Sequence, residues 1–368
     1  IMKVAICLPE TEVFDPLKGG AITNWVYNIT KNLNGIDTTV FGFSTSDNSY
    51  YEKETHFQSL NNIISSFILR IPLVRKLHVY LYGWLIFKSL RQFDVIHIHN
   101  QWRLVLILKK LNFSGRIVLH MHNNYLNTTK LKAKKSLEMN VNKFVFCSEK
   151  IKRESKINNG TVLYNGFDNS IFYKKTQESN EGYTIGFAAR LEFNKGFHLL
   201  LNSLYVLKSK NESLKVVVCG NPSKPMNRYQ KTIFKICNKL NAEFGEFIVF
   251  KNKIEHKKMG DFYRGIDLLW AVSIHREAFG MNLIECISCG KQVVVNNIGG
   301  VLEAIGSEDF GLSDFDSDSI SRNIQDRIDR RDHWEQKVKK SAHYIEENFR
   351  WQSIGIEYKN LLNQINFF

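Results

Sequence analysis

Short apolar runs that alternate with helical patterns constrain the fold of this chain more than any other feature. Lys3 to Leu8 is a continuous apolar run of the kind buried in a parallel sheet, and an amphipathic helix is predicted from about Ile22 to Leu33. Further strands are predicted in the first half at Thr38–Phe43, Phe93–His99, Arg116–His122, Phe144–Cys147 and Val162–Tyr164.

A second series of the same kind starts after the polar stretch Tyr173–Gly182, which we interpret as an interdomain linker. Its predicted strands are Tyr183–Arg190, Leu214–Gly220, Phe247–Phe250, Leu268–Val272 and Lys291–Val295, with helices at about His198–Lys208, Tyr229–Leu240 and Met281–Ser288. A length of 368 residues suits two domains. The sequence therefore predicts an α/β protein with two Rossmann-like domains facing a central cleft, residues 1–172 and 183–350. The final helix, Trp351 to Asn363 within residues 351–368, is expected to pack back across the hinge onto the first domain.

Two carboxylates, Glu277 and Glu285, stand eight residues apart across a Phe279-Gly280 turn. A helix is predicted to start at Met281, and the free backbone amides at such a start suit a phosphate. Glu285, just over two helical turns further on, would reach a more distant part of the same ligand. The alternative is a pair of surface carboxylates that favour the helix dipole.

Arg190 and Lys195 supply the positive charge that a diphosphate site needs. They leave the end of a strand five residues apart, with Gly196 before the next helix. In the first half, Gly19-Gly20 lies between a strand and a helix, where backbone amides can approach a phosphate. A tight turn that needs positive φ explains this pair of glycines equally well.

Two neighbouring strands of the first half both end in His-Asn, at His99-Asn100 and His122-Asn123. The carboxyl edge of a parallel sheet is where α/β proteins bind ligands, so these side chains are candidate functional residues. A buried structural histidine is the alternative.

The net charge of +14, from 50 Lys and Arg against 36 Asp and Glu, predicts an anionic partner. Phe67 to Phe93 interleaves apolar residues, aromatic residues and cations without any acid, which is typical either of a membrane-surface segment or of a core helix with its basic residues outward. Its most apolar part, Val79 to Phe87, is too short to span a bilayer. The chain has no recognisable nucleic-acid module, so the nucleic-acid-binding alternative is disfavoured.

The six cysteines lie mostly in apolar contexts, and the C-x-x-C pair Cys286/Cys289 has no second pair that would complete a zinc site. We therefore expect buried thiols in a reducing cytoplasm, consistent with a start that lacks a signal-peptide layout. Neither half carries G-x-G-x-x-G followed by an acidic residue, which disfavours a nucleotide-dependent oxidoreductase. We expect no metal or other cofactor, because cations would take the place of a divalent ion.

Together, Gly19-Gly20, Arg190 with Lys195, Glu277-x7-Glu285 and the closing Trp-containing helix resemble retaining glycosyltransferases of the GT-B fold, family 4. The resemblance implies that Arg190 and Lys195 hold the donor diphosphate, that Glu277 contacts the donor sugar hydroxyls, and that Glu285 contacts the nucleotide ribose. It also implies that His122 lies near the sugar. The donor-binding residues carried over from the motif are Gly19, Gly20, Phe279, Gly280, Met281 and Asn282. Val272 and His275 depart from the family pattern in the loop before Glu277.

Within that family, Leu119-His-Met-His-Asn123, the Asn165-Gly-Phe turn and Glu-Ala-Phe-x-Met are similar to N-acetylglucosaminyltransferases of the bacterial lipopolysaccharide core. This similarity implies UDP-N-acetylglucosamine as the donor and an outer-core glucose as the acceptor. It also implies a peripheral position at the cytoplasmic face of the inner membrane. UDP-glucose or UDP-galactose remains an alternative donor. No carboxylate is clearly placed as a nucleophile, so the family inference is a same-face mechanism in which the leaving phosphate accepts the acceptor's proton.

Overall fold

The computed structural model describes residues 1–9, 12–15, 20–44, 55–60, 78–175, 182–220, 222, 225–274 and 277–366. The chain divides into two compact units. One unit combines Ile1–Gly166 with Trp351–Phe368, and the other is Phe167–Arg350. Gly19, His275 and residues 67–77 of the predicted membrane-surface segment lie outside the described residues.

The first unit is built on a parallel sheet with the strand order β2-β3-β1-β5-β6-β7-β8, and β4 pairs with β3. Its strands, within the described part of the chain, are β1 (Lys3–Cys7), β2 (Val13–Phe14), β3 (Asp37–Ser44), β4 (Phe57–Ser59), β5 (Val95–His99), β6 (Arg116–Met121), β7 (Lys143–Phe146) and β8 (Gly160–Val162). Every residue of β5 is buried, as expected for an apolar strand covered on both faces. In the register of β5 against β6, His99 pairs with His120.

Helices surround this sheet, and the C-terminal helix is one of them. The described helices that precede the second unit are α1 (Ala21–Lys31), α2 (His78–Leu90), α3 (Trp102–Lys110), α4 (Leu131–Glu138) and α5 (Glu149–Ser155). The C-terminal helix, Trp351–Asn366, packs beside α1. At Gly355 a Cβ would come within 2.9 Å of the Asn32 side chain, so this glycine permits the close approach.

The second unit has its own parallel sheet, with the order β11-β10-β9-β12-β13-β14. Its described strands are β9 (Tyr183–Ala188), β10 (Leu214–Cys219), β11 (Ile248–Lys251), β12 (Leu268–Trp270), β13 (Gln292–Asn296) and β14 (Gly311–Leu312). Its described helices are α6 (Phe197–Lys210), α7 (Arg228–Phe244), α8 (Met259–Arg264), α9 (Met281–Ser288), α10 (Val301–Ile305), α11 (Ser317–Asp329) and α12 (Arg331–Asn348). A cluster of buried apolar side chains from β9, β10, α6 and α7 forms much of the core of this unit.

The predicted α/β architecture with two parallel-sheet domains is confirmed, and it accommodates the six cysteines in buried positions. The division between the units falls at Gly166/Phe167, ahead of the polar stretch 173–182. The strand predicted at Val162–Tyr164 is instead Gly160–Val162, because it pairs with β7 from Phe144↔Gly160 onwards. Within the described ranges, no helix has both the length and the apolar character needed to cross a membrane.

Candidate functional site

Lys195 and Glu277 are 82 residues apart in sequence and form an ion pair in the second unit, with 2.9 Å between Nζ and Oε2. Lys195 ends a short 3₁₀ turn that follows β9. The next residue, Gly196, has φ 64°, and a Cβ there would lie 2.4 Å from the Val272 carbonyl oxygen. Only glycine allows this approach, which holds the turn carrying Lys195 against the segment that leads to Glu277.

Gly299 and Gly300 fix the position of the Glu277 backbone. Its carbonyl oxygen accepts a hydrogen bond of 2.9 Å from the Gly300 amide. At Gly299, φ is 66° and a Cβ would stand 1.6 Å from the same oxygen, so no other residue fits. Gly299-Gly300 was not among the predicted site residues, although a Gly-Gly pair after a strand is a signal of close backbone approach.

Glu285 lies inside α9 and is almost fully buried, with both carboxylate oxygens engaged. His256 Nε2 donates to Oε1 at 2.9 Å, and the Tyr263 hydroxyl donates to Oε2 at 3.2 Å. Burial opposes protonation of His256, but the hydrogen bond and charge of Glu285 outweigh it and raise the pKa of this histidine. Sequence reasoning missed His256 and Tyr263, because they meet Glu285 only through the tertiary fold.

The start of α9 offers backbone amides. Gly280 is the N-cap with φ 98°, and no side chain caps this helix start. Met281 and Asn282 form the first turn and are partly exposed. Phe279 is buried, with its ring edge-on to Phe349 at 5.2 Å. Amides at such a helix start suit an anionic group.

Arg190 has a different environment from Lys195. Its guanidinium Nη1 donates to Glu192 Oε1 at 2.7 Å, and its side chain is 75% exposed. Of the two cations predicted to hold a diphosphate, therefore, the structure pairs Lys195 with Glu277 and leaves Arg190 at the surface beside Glu192.

In the first unit, the helix start after the glycine pair is occupied by a carboxylate. Glu12 Oε1 accepts the Thr23 amide at 3.1 Å and the Thr23 hydroxyl at 3.0 Å. Burial raises the pKa of Glu12, and the two Thr23 hydrogen bonds act against that shift. Gly20 is the N-cap of α1, and a Cβ on it would come within 3.3 Å of the same carboxylate oxygen. Glu12 lies in the loop after β1 and was not predicted from the sequence.

His122 follows β6 directly and is held by the neighbouring strand end. Its backbone amide donates to Asn100 Oδ1 at 2.8 Å, and Asn100 adopts φ 56°. A hydrogen bond of 2.9 Å joins its Nε2 to Nδ1 of His99. Burial lowers the pKa of His122 to about 3. The His122 ring therefore bonds to His99 through Nε2, and the His122 backbone bonds to Asn100.

Residues 168–349 match the family model described as "Glycosyl transferases group 1". The lipopolysaccharide 1,2-N-acetylglucosaminetransferase of Salmonella typhimurium is 23% identical over 96% of this chain and 96% of its own. Among solved structures, a glycosyltransferase from Rickettsia africae has a TM-score of 0.80 at 18% identity and covers 99% of this chain and 98% of its own. Anabaena HepE in complex with UDP-glucose has a TM-score of 0.75 at 17% identity, over 99% and 100%. These similarities confirm the predicted GT-B fold.

Proposed function

We propose that this chain, which is a glycosyltransferase with a group 1 domain over residues 168–349, transfers N-acetylglucosamine from UDP-N-acetylglucosamine to an outer-core sugar of lipopolysaccharide with retention of configuration. The nearly full-length similarity to the Salmonella transferase supports this choice of donor and acceptor. The sequence motifs around His122 and Glu277 support the same choice.

The observation that carries the proposal is the Lys195–Glu277 ion pair beside the uncapped start of α9. When a nucleotide sugar loses its sugar, the glycosidic C–O bond breaks and negative charge grows on the diphosphate. A cation and free amides that the fold already holds in position stabilise this negative charge, because they need not reorganise when the transition state forms. Lys195 and the amides of Gly280 and Met281 are such groups.

The remaining roles follow the family motif. Glu277 would bind hydroxyls of the donor sugar, and Glu285 would bind the ribose hydroxyls. His256 and Tyr263 would keep the Glu285 carboxylate in one orientation, because each donates to a different oxygen. Arg190, now paired with Glu192, would turn to the diphosphate when donor binds, and His122 is assigned to the donor sugar.

The proposed chemistry needs neither a protein nucleophile nor a metal ion. The leaving phosphate oxygen accepts the proton of the acceptor hydroxyl on the same face of the sugar as the new bond, so configuration is retained. Lys195 and Arg190 supply the positive charge that a divalent ion supplies in other transferases.

A donor screen tests the proposal. UDP-N-acetylglucosamine, UDP-glucose and UDP-galactose are compared by UDP release with purified lipopolysaccharide core, and the anomeric configuration of the product is read by NMR. We expect UDP-N-acetylglucosamine to give the highest kcat/KM and an α-linked product. Faster transfer from UDP-glucose or UDP-galactose would contradict the proposed donor, and a β-linked product would contradict retention.

We also propose that the first unit docks on anionic membrane through α2 and α3. Two aromatic side chains of α2 are exposed: Trp84 is 66% exposed and Tyr80 is 47% exposed. They border an apolar groove completed by Leu81, Ile107, Lys110 and Leu111. The described cations on these helices and their ends are Lys88, Arg91, Arg103, Lys109 and Lys110, and neither helix contains an acid. Exposed aromatic residues among cations are typical of surfaces that bind anionic lipid.

Vesicle flotation tests this docking. We expect the protein to float with vesicles that contain an anionic phospholipid and not with purely zwitterionic vesicles. Trp84→Ala and Lys110→Glu should weaken flotation, whereas Lys231→Glu, a change on α7 in the second unit, should leave it unchanged. Equal flotation of all variants, or of both vesicle types, would contradict the proposal.

A further inference from the structure

Four histidines of the first unit form a buried cluster on one face of the sheet, and neither the donor site nor the membrane proposal uses all of it. His97 and His99 lie in β5, His120 lies in β6, and His122 follows it. Their rings stack, with centroids 4.4 Å apart for His97 and His99 and 4.0 Å apart for His120 and His122. Three of the rings are fully buried and His122 is 8% exposed. The histidine cluster therefore sits in the interior of this unit.

The ring nitrogens in this cluster fall into two groups. Nδ1 of His97 bonds to the Tyr358 hydroxyl at 2.6 Å, and Nδ1 of His99 bonds to His122 at 2.9 Å. By contrast, Nε2 of His97, Nε2 of His99, both nitrogens of His120 and Nδ1 of His122 have no hydrogen-bond partner among the described protein groups. A buried polar atom without a partner opposes folding, and five such atoms in one cluster are rare in a protein core.

Histidine metal sites combine ring nitrogens that lie close enough to share an ion with second ring nitrogens that are hydrogen-bonded, and this cluster has both. One ring nitrogen from each of His97, His99 and His120 lies within 4.8 Å of the other two. In a tetrahedral site with metal–nitrogen bonds of about 2.0–2.1 Å, ligand nitrogens stand roughly 3.3 Å apart, so the three rings, which stack on one another here, would have to turn and move closer to bind an ion. Ligating histidines characteristically engage their second nitrogen in a hydrogen bond, as His97 does with Tyr358 and His99 does with His122.

The ligand type narrows the choice of metal. Neutral imidazole is the form that binds metal, and it suits zinc, copper and nickel rather than magnesium or calcium.

We propose that His97, His99 and His120 form a buried binding site for one divalent transition-metal ion of the zinc class. The ion would join the carboxyl ends of β5 and β6, and through His99 it would also fix the ring of His122. This site is separate from the diphosphate chemistry of the second unit, and it stands whether or not the donor proposal holds. With neutral ligands alone, the site would bind more weakly than zinc sites built from thiolates.

Cobalt spectroscopy on the full chain tests the site, because tetrahedral Co²⁺ with three histidines gives visible absorption bands and Zn²⁺ displaces it. Chelator-treated protein is titrated directly, and a second sample is refolded from denaturant with the metal present, so that burial of the site does not block access. We expect one Co²⁺ per chain, loss of the bands on adding Zn²⁺, and a higher melting temperature with Zn²⁺.

Two variants separate this site from adventitious surface binding. His120→Gln removes the ring whose two nitrogens both lack a hydrogen-bond partner among the described protein groups. For this variant we expect at least a tenfold loss of Co²⁺ affinity. His343→Gln removes a histidine that is 76% exposed on α12 and should change nothing. Circular dichroism checks the fold of both, and His97→Gln replaces His120→Gln if the latter does not fold. Absence of stoichiometric binding in both sample formats, as expected if the cluster holds only buried water, would overturn the proposal. So would unchanged binding by a folded cluster variant.

Discussion

Each unit contains a histidine close to a tyrosine, and their environments shift the pKa values of these two histidines, the half-buried His256 and the fully buried His97, in opposite directions. In the second unit, His256 faces the Glu285 carboxylate, and the net effect is a raised pKa. In the first unit, His97 hydrogen-bonds to the neutral Tyr358 hydroxyl and stacks on other imidazoles, and its pKa falls to about 3. Burial disfavours the cation in both places, so the partner decides the outcome.

The two regions suit different kinds of ligand. Charged, partnered groups in the second unit suit a ligand that carries its own charge and hydroxyl groups. Neutral imidazoles with open lone pairs in the first unit suit a metal ion.

The largest expected effect concerns the charged pair Lys195–Glu277. Lys195→Ala should lower kcat for sugar transfer by about 10²-fold, because a cation that stabilises charge growing on the diphosphate is lost. Lys337→Ala is a matched control: Lys337 is also 25% exposed and also forms an ion pair, with Asp309 at 3.0 Å. Steady-state kinetics with saturating donor provides the measurement. A similar loss in both variants would show that Lys195 contributes only as a surface ion pair.

The second-largest expected effect is a difference between two buried tyrosines. The Tyr263 hydroxyl bonds to the Glu285 carboxylate, whereas the Tyr358 hydroxyl bonds to the neutral ring of His97. Hydrogen bonds to charged groups contribute about 1.5–3 kcal/mol, and neutral ones about 0.5–1.5 kcal/mol. Tyr263→Phe should therefore lower the free energy of unfolding more than Tyr358→Phe does. Urea unfolding at pH 7 measures both, and each variant is the control for the other. An equal or reversed order would mean that the carboxylate does not strengthen the bond to Tyr263.

Sequence alone predicts the fold well, and it predicts the site only in part. Apolar strands such as β1 and β9 can be recognised in the sequence, because a strand covered on both faces is a nearly continuous apolar run. The helices α11 and α12 received no prediction, since polar and charged residues dominate them. A usable signal was present, however, in the N-cap Asp316 and the apolar residues Ile320 and Ile324.

The site residues divide in the same way. Glu277 and Glu285 belong to one local motif and Lys195 to another, so their residue types and spacing carry information. His256 lies 29 residues before Glu285 and meets it only because a turn and α8 pack against α9. Likewise, the stacking of four histidines depends on the register of β5 against β6, which the sequence does not state.

The smallest expected effect is a difference in how stability depends on pH. Because the folded pKa of His256 lies above its value of about 6.5 in the unfolded chain, its pairing with Glu285 stabilises the fold fully below pH 6.5. This contribution is lost as pH rises through the folded pKa. His256→Gln should therefore destabilise the protein more at pH 6 than at pH 9. His198 provides a control of opposite sign, because burial lowers its pKa. For His198→Gln, stability relative to the unsubstituted protein should increase as pH falls below 6.5. Thermal unfolding of the three proteins across this pH range makes the measurement. Parallel pH profiles for both variants would mean that the Glu285 carboxylate does not determine the charge of His256, and the contrast between the two units would then reduce to burial alone.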